Sequence, residues 1–334
     1  MNSPTLRHPH ITFAPTCPAI APFGIGTWAW GDSFFWSYGK DYGEAELEAA
    51  FEAALHAGIS LFDTAEVYGL GESERLLGKF IKRYSGTAPG AIVVATKYMP
   101  TPWRWNANAL TQAVTQSLQR LQLDRIDLYQ IHQPFDFFLS KFTMLETLAK
   151  EVQQGRIGAI GVSNYSAQQT REAHRMLATY NIPLAVNQVP YSLLNRKIES
   201  NGILETAREL GVTVLAYSPL AQGLLTGKYE PQTARNQVMG ARKLDPRFSQ
   251  QGLQKIQDLL KLLQKIGESY ERTSAQVALN WLLTQQNVVP IPGIKTANQA
   301  CQNAGALGWQ LTSEEMMQID LVSRTWRSTG TGKL

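Results

Sequence analysis

Four residues of this chain have the right types and order to move a proton onto a carbonyl: Asp63, Tyr68, Lys97 and His132. Asp63 and Tyr68 share the segment Phe62-Asp63-Thr64-Ala65-Glu66-Val67-Tyr68-Gly69. Tyrosine is a poor acid near neutrality, because its free pKa is about 10. A buried ammonium beside the phenol stabilises phenolate and lowers that pKa. A carboxylate such as Asp63 in turn keeps a desolvated lysine charged. A histidine beside the phenol holds a carbonyl oxygen by a hydrogen bond. Together the four predict a proton donor for a carbonyl that accepts hydride. Taken singly, Lys97 reads as a solvated group and His132 as a satisfied core residue, so the set carries the argument. Glu66 reads as a loop hydrogen-bond acceptor. No nucleophile-base pair and no metal-ligand spacing accompanies them.

These residues stand where short apolar runs stop. Asp63 ends the run from Ile59, Lys97 the run from Ile92, and His132 the run from Ile126. Ser163 and Asn164 follow Ile157 to Val162, Gln188 follows Leu184 to Asn187, Tyr217 and Ser218 end the run from Val212, and Gly293 to Lys295 follow Val288 to Pro292. Such runs read as parallel strands buried on both faces. Polar groups at the carboxyl ends of parallel strands are where α/β folds place their chemistry. A first strand fits Pro22 to Trp28, preceded by a segment that caps the barrel bottom. Between strands, a helix starting at Asp41 with Glu44 as capping box carries the apolar face Leu47, Ala50, Phe51, Ala54 and Leu55 and stops at Gly58. Ser166 with Gln169, Thr273 with Gln276, and Thr312 with Glu315 repeat that capping signature. Helices are expected near Asn108–Leu121, Lys141–Gln154, Gly202–Leu210, Leu253–Tyr270, Ser274–Gln285 and Ser313–Ser323. Gly155 and Gly211 supply left-handed stops. Residues 1–334 read as one α/β barrel domain of eight βα units, with a long interval between Tyr217 and Gly293.

Composition agrees with an enzyme and excludes several other classes. The net charge is +4 and the 31 basic residues are scattered, so no nucleic-acid stripe is present. Cys17 and Cys301 are the two cysteines, too few and too far apart for a disulfide framework or structural zinc, as expected of a reducing compartment. No signal pattern opens the chain and no run is long enough to span a bilayer, which predicts a cytoplasmic protein without membrane or nucleic-acid partners.

The ordered segments resemble the aldo-keto reductase superfamily. They are Gly26-Thr27-Trp28, the Asp63–Tyr68 segment, Ala95-Thr96-Lys97, Leu128 to His132, Gly161-Val162-Ser163-Asn164, Asn187-Gln188, Ala216 to Leu220, and Ile291 to Lys295 with Gln299 and Asn303. The resemblance implies a (β/α)8 TIM barrel with a cofactor-covering loop after the seventh strand and an extra C-terminal helix. It also implies an NADPH/NADP+-dependent carbonyl reductase with Tyr68 as acid, Lys97 as its activator, Asp63 as the lysine's partner and His132 as orienting residue. Ser163, Asn164 and Gln188 would hold the nicotinamide carboxamide and Tyr217 would stack on its ring, with Thr27 and Trp28 closing that side. Ser218, Pro219, Leu220, Gly223 and Lys228 would wrap the pyrophosphate, and Gly293, Lys295, Gln299 and Asn303 the adenosine end. Lys295 would face the 2′-phosphate, with Arg242 as a further candidate. Many relatives carry a basic residue where Gly293 or Gln299 stands here.

Aromatics crowd the first and third βα loops. Trp28, Trp30, Trp36, Tyr98 and Trp103 are the expected walls of an apolar pocket for a small-molecule carbonyl, and Trp326 could close it. A monomeric enzyme is the leading reading. The alternative is a cofactor-sensing regulatory protein like the potassium-channel β-subunit branch, which departs from histidine at the fourth tetrad position.

Overall fold

The computed structural model describes residues 10–84, 90–231 and 245–327. Eight parallel strands follow one another in chain order: β1 (Gly24–Gly26), β2 (Leu61–Asp63), β3 (Val93–Tyr98), β4 (Ile126–Ile131), β5 (Ile157–Ser163), β6 (Leu184–Pro190), β7 (Thr213–Tyr217) and β8 (Val288–Ile291). The Gly26 amide donates to Pro292 O at 3.1 Å, and Gly26 bridges Gly293 in parallel, which closes the sheet into a (β/α)8 TIM barrel. Helices cover the outside, as a sheet of parallel strands requires.

Strand periodicity decides which side chains meet inside. Leu61 and Asp63, Val93 and Ala95 with Lys97, Leu128 with Gln130, and Val186 with Gln188 occupy alternate positions on one face. Leu61, Val93, Ala95, Leu128, Val186, Leu215 and Val289 fill the interior together with Phe13, Cys17 and Ile20 from the N-terminal segment. That segment forms an antiparallel bridge from Ile11 to Ile20 and plugs the bottom of the barrel, as expected. The opposite face of the strands packs under the helices: Phe62, Val94, Tyr98, Tyr129 and Ile131 join the outer core.

The expected capping boxes at Ser166/Gln169, Thr273/Gln276 and Thr312/Glu315 are present. The helices Ala107–Leu121, Lys141–Gln153, Ile203–Glu209 and Ser313–Ser323 lie where the pattern put them. Gly58, Gly155 and Gly211 take the left-handed φ that their helix stops require. Three boundaries differ. The first long helix is Glu44–His56, capped by Gly43 with Glu46 rather than Asp41 with Glu44, because residues 37–41 are spent in a turn. The β1 strand is three residues long, shorter than Pro22 to Trp28. The expected helix Leu253–Tyr270 is two, Gln250–Lys255 and Gln257–Tyr270, meeting at Ile256. Helices Glu72–Tyr84 and Ala297–Ala304 complete the ring. After β7 the chain turns through Ala221–Thr226, and Arg242 lies outside the described residues.

Candidate active site

Asp63 ends β2, and Lys97 lies one residue from the end of β3, so two neighbouring strands bring them to one level. The Lys97 Nζ, fully buried, lies 2.5 Å from Asp63 Oδ1, 2.8 Å from Thr64 O and 3.4 Å from Tyr68 Oη. The second carboxylate oxygen of Asp63 accepts from Gln130 Nε2 at 2.9 Å and from Gln188 Nε2 at 2.8 Å. Three donors from three strands therefore converge on one buried carboxylate. Gln130 pairs with Lys97 in the strand register. It has room because Gly161 faces it: a Cβ there would meet Gln130 Cγ at 2.9 Å.

Tyr68 follows β2 by one turn, its amide bonded to Ala65 O. His132, just past β4, donates its amide to Tyr98 O at 2.8 Å and sets its ring edge-on to Tyr68, centroids 5.7 Å apart. The four candidate proton-transfer residues are thus assembled in one cluster.

Electrostatics assign states to Lys97, Tyr68 and His132. Burial opposes the charge on Lys97, but Asp63 and Tyr68 outweigh it and hold the ammonium's pKa above the ordinary value. Burial raises the Tyr68 phenol; Lys97 pulls it down, Asp63 pushes it up, and the net position is above the ordinary tyrosine value. The sign of the lysine's effect is the expected one, but the expected net lowering is reversed, because in this cluster desolvation of phenolate exceeds the field of a lysine already shared with Asp63. Burial first, and the Lys97 charge second, push His132 down to about 3, so its imidazole is neutral at physiological pH.

On the other side of the mouth, Asn164 links the groups assigned to the nicotinamide. Its Nδ2 donates to His132 O and to Ser163 Oγ, both at 3.2 Å, while its Oδ1 accepts from Tyr217 Oη at 3.0 Å. Ser163 Oγ donates to Gln188 O at 2.9 Å. Gln188 lies inside β6, which runs on to Pro190, and its amide nitrogen is turned onto Asp63 and Gln130. Beyond Tyr217, Ser218, Ala221, Gln222 and Gly223 are left-handed, with Pro219 and Leu220 between. Lys228 reaches back over this turn, since a Cβ on Gly223 would lie 3.7 Å from its Nζ. A left-handed turn beside an ammonium fits a pyrophosphate. Gly293 is exposed at the end of β8, and Asn303 is buried in helix Ala297–Ala304. Gln299 caps the Lys295 amide at 2.8 Å. The Lys295 Nζ donates to Trp36 O at 3.1 Å and sits 4.9 Å above the Trp36 ring and 4.4 Å above the Tyr42 ring.

The expected pocket walls divide. Trp28 packs against Trp36 at 5.4 Å, Phe35 at 5.8 Å and Tyr68 at 6.4 Å, an aromatic wall beside the phenol. Trp103 is 68 % exposed on the rim, as is Trp105. Trp30 is not a wall: it is fully buried against Phe62 and Phe80, with its indole N–H on Ile294 O at 3.0 Å. Tyr98 is not one either, because one step along β3 from Lys97 turns it to the outer face, where it is buried beneath Arg104. Trp326 is buried in the turn Arg324–Arg327, its carbonyl held by the Arg196 amide, so it is packed rather than poised to close. Glu66 accepts from Met99 N and Arg104, as its reading required. Sequence reasoning missed Gln130 and Arg104. The parity Leu128, Gln130, His132 marked Gln130 as inward-facing, whereas nothing local announced the partner of Arg104. Among the described residues no group of three or more His, Cys, Asp or Glu could hold a metal.

The aldo/keto reductase family model matches residues 22–324. The chain belongs to the aldo/keto reductase family. It is thereby an oxidoreductase. A chloroplastic pyridoxal reductase of Arabidopsis thaliana is 39 % identical over 92 % of this chain and 84 % of its own length. Among solved structures, the glycerol dehydrogenase of Gluconobacter oxydans superposes with a TM-score of 0.81 at 29 % identity, covering 98 % of this chain and 99 % of that one. An aldo-keto reductase from Klebsiella pneumoniae, solved in complex with NADPH, gives 0.72 at 27 % identity, covering 95 % and 94 %.

Proposed function

We propose that this family member reduces aldehydes and ketones to alcohols with NADPH, using Tyr68 as the general acid. The observation that carries the reading is the fully buried Lys97 held between Asp63 and the Tyr68 hydroxyl, with a neutral His132 edge-on to the same phenol. When bound, the dinucleotide supplies hydride to the carbonyl carbon. Tyr68 gives its proton to the carbonyl oxygen and is reprotonated from solvent. Lys97 stabilises the transient phenolate, Asp63 with Gln130 and Gln188 holds Lys97, and His132 donates a hydrogen bond that orients the substrate oxygen. A neutral imidazole is suited to that task, since it donates without adding a second buried charge.

Ser163, Asn164, Gln188 and Tyr217 would hold the nicotinamide end, with Thr27 and Trp28 flanking it. The turn from Ser218 through Gly223, with Lys228, would hold the pyrophosphate, and the segment from Gly293 through Asn303 the adenosine end. The residues present fit the group: a left-handed turn beneath a lysine, and a second lysine, Lys295, at the far end. Trp28 offers a flat apolar face next to Tyr68, which suits an aromatic carbonyl. Pyridoxal, the substrate named for the plant relative, belongs to that class and is the first to try. A complete tetrad supports turnover over a cofactor-sensing regulatory role.

We also read the whole chain as one monomeric barrel domain working in the cytoplasm. Both cysteines are free, which a reducing compartment permits, and no helix among the described residues is long and apolar enough to cross a membrane. The decisive experiment is NADPH oxidation, followed at its near-ultraviolet absorbance, against pyridoxal, aromatic aldehydes, dicarbonyls and sugars. No oxidation with any carbonyl would overturn the reading, and elution of the protein with dimer mass would overturn the monomer.

A further inference from the structure

The mechanism above leaves a buried ion pair unused. The loop carrying Tyr68 first runs beside the end of β3, with Thr64 N on Ala95 O at 2.8 Å and then Glu66 N on Lys97 O at a looser 3.4 Å. There the backbone peels away to turn Tyr68 into the mouth, and the Glu66 side chain takes up the bonding instead. Its Oε1 accepts from Met99 N at 2.7 Å, and both carboxylate oxygens receive Arg104, the Nη2 contact being 3.0 Å. Arg104 also donates to Met99 O at 3.1 Å and lies 5.0 Å from the Tyr98 ring centroid. The carboxylate is almost fully buried and the guanidinium mostly so.

The tips of these two loops stand in solvent. Around Tyr68 the chain exposes Val67 and Leu70, and Leu70 is held left-handed in solvent with no apolar burial to retain it. On the other side Trp103 and Trp105 flank Arg104 and stand out on the rim, both largely exposed. A bidentate arginine–carboxylate contact is the side-chain interaction that fixes orientation as well as distance.

We propose that Glu66 and Arg104 are positioning residues, tying the Tyr68 loop to the Trp103–Trp105 loop so that one buried pair sets both the height of the acid above Lys97 and the rim that meets the substrate. The inference rests on the assignment of Tyr68 as acid and deepens it. Misplacing a reacting group by about 1 Å costs on the order of a hundredfold in rate. Breaking the pair therefore lowers turnover by about ten- to a hundredfold while leaving the nicotinamide and phosphate residues on the far side of the barrel undisturbed.

The test compares Glu66→Gln, Arg104→Met and Arg104→Lys in the full-length protein. With a small aldehyde such as propanal, which is too short to reach the rim, kcat falls in the first two variants with KM and NADPH affinity unchanged. With pyridoxal, KM rises as well. Arg104→Lys recovers part of kcat by restoring one donor. Hydrogen exchange, read by mass spectrometry without turnover, accelerates together at Glu66 to Leu70 and at Met99 to Arg104 in both disruptive variants, and stays unchanged at Gly161 to Asn164. Acceleration in only one loop overturns the tie. A loss of kcat that tracks a general loss of protection and of cofactor affinity makes the pair merely structural and overturns the proposal too. If Arg104→Met does not fold, Glu66→Gln and Arg104→Lys carry the same comparison. Full activity of Tyr68→Phe would instead strike the assignment of the acid, and the exchange data would still judge the tie.

Discussion

The mouth of the barrel has two unlike halves. Loops after β1 to β4 carry aromatic and apolar side chains toward solvent: Trp28, Phe34, Phe35, Trp103, Trp105, Phe135 and Phe137. The end of β5 and the loops after β5 to β8 carry Ser163, Asn164, Ser218, Gly223, Lys228 and Lys295, with Asn164 and Ser218 left-handed. Apolar faces give affinity for an organic substrate without dictating one shape, whereas left-handed turns, hydroxyls and lysines suit a polar, phosphorylated cofactor. The tetrad lies on the seam. Asp63, Tyr68, Lys97 and His132 come from the first half, and Gln188 and Asn164 reach across from the second, to Asp63 and to His132 O. Elsewhere the loops after β1 and β8 touch, with Lys295 on Trp36 O and the Trp30 indole on Ile294 O. One closed barrel thus lets two recognition problems be solved on separate loops while the reacting groups share a single rigid floor.

Substitutions on the seam should be the most damaging. Tyr68→Phe removes the proton while keeping the ring, and kcat should fall by about 10²–10⁴-fold with NADPH affinity intact. A variant that keeps most of the wild-type rate on an unactivated aldehyde would falsify the role of Tyr68. Among its partners, Lys97→Met should reduce rate more than Asp63→Asn. Each breaks a buried pair and should cost about 3–5 kcal/mol of stability, read by urea denaturation; Asn has one acceptor oxygen where Asp63 has two, so its NH2 must face either Lys97 or the two glutamine donors. Equal stability in either variant would mean that the pair is not buried as seen.

The pH dependence follows from the same seam. In the proposed reaction Tyr68 gives the proton, and its pKa is raised, so activity should persist at and below neutrality and be lost only as pH rises through a value above the ordinary tyrosine pKa of about 10. His132 is already neutral above about 3 and contributes no inflection between pH 5 and 9. Lys97→Met removes the group that pulls the phenol down, and the falling limb should shift upward in the residual activity. A limb that does not move while activity falls reduces Lys97 to a positioning role.

The half proposed to bind cofactor is tested by Lys295→Glu. NADPH affinity should drop by roughly ten- to hundredfold, the worth of a charge-assisted contact, with NADH far less affected. Fluorescence titration of both dinucleotides decides it. Equal losses would show that Lys295 serves the Trp36 loop instead of the 2′-phosphate.

The smallest effects separate wall from core on the apolar half. Trp28→Ala should raise KM for aromatic aldehydes about tenfold and leave NADPH affinity within a factor of a few, given about 1.4 kcal/mol for a lost aromatic face. Trp30→Phe should leave KM unchanged and cost about 1 kcal/mol of stability through the lost bond to Ile294 O. A KM effect from Trp30→Phe would place that residue back in the pocket.

Most strands, three capping boxes and the order of the four candidate proton-transfer residues were legible in the sequence. Buried parallel strands must be continuous apolar runs, a helix start must satisfy its own amides within three residues, and chemistry at strand ends marks itself by interrupting those runs. Strand parity, had it been applied to Tyr98 and Gln130, would also have sent the first outward and the second inward. The tertiary structure alone decided the rest. Gln188 meets Asp63 across 125 residues, Lys295 meets Trp36 across 259, and Arg104 meets Glu66 across 38. No local pattern selects such partners, because a long polar side chain has many acceptors within reach of its own segment. Barrel closure picks one by bringing distant strand ends to the same height. The net pKa of Tyr68 belongs to that class too, since burial and the sharing of Lys97 with Asp63 exist only once the strands are assembled.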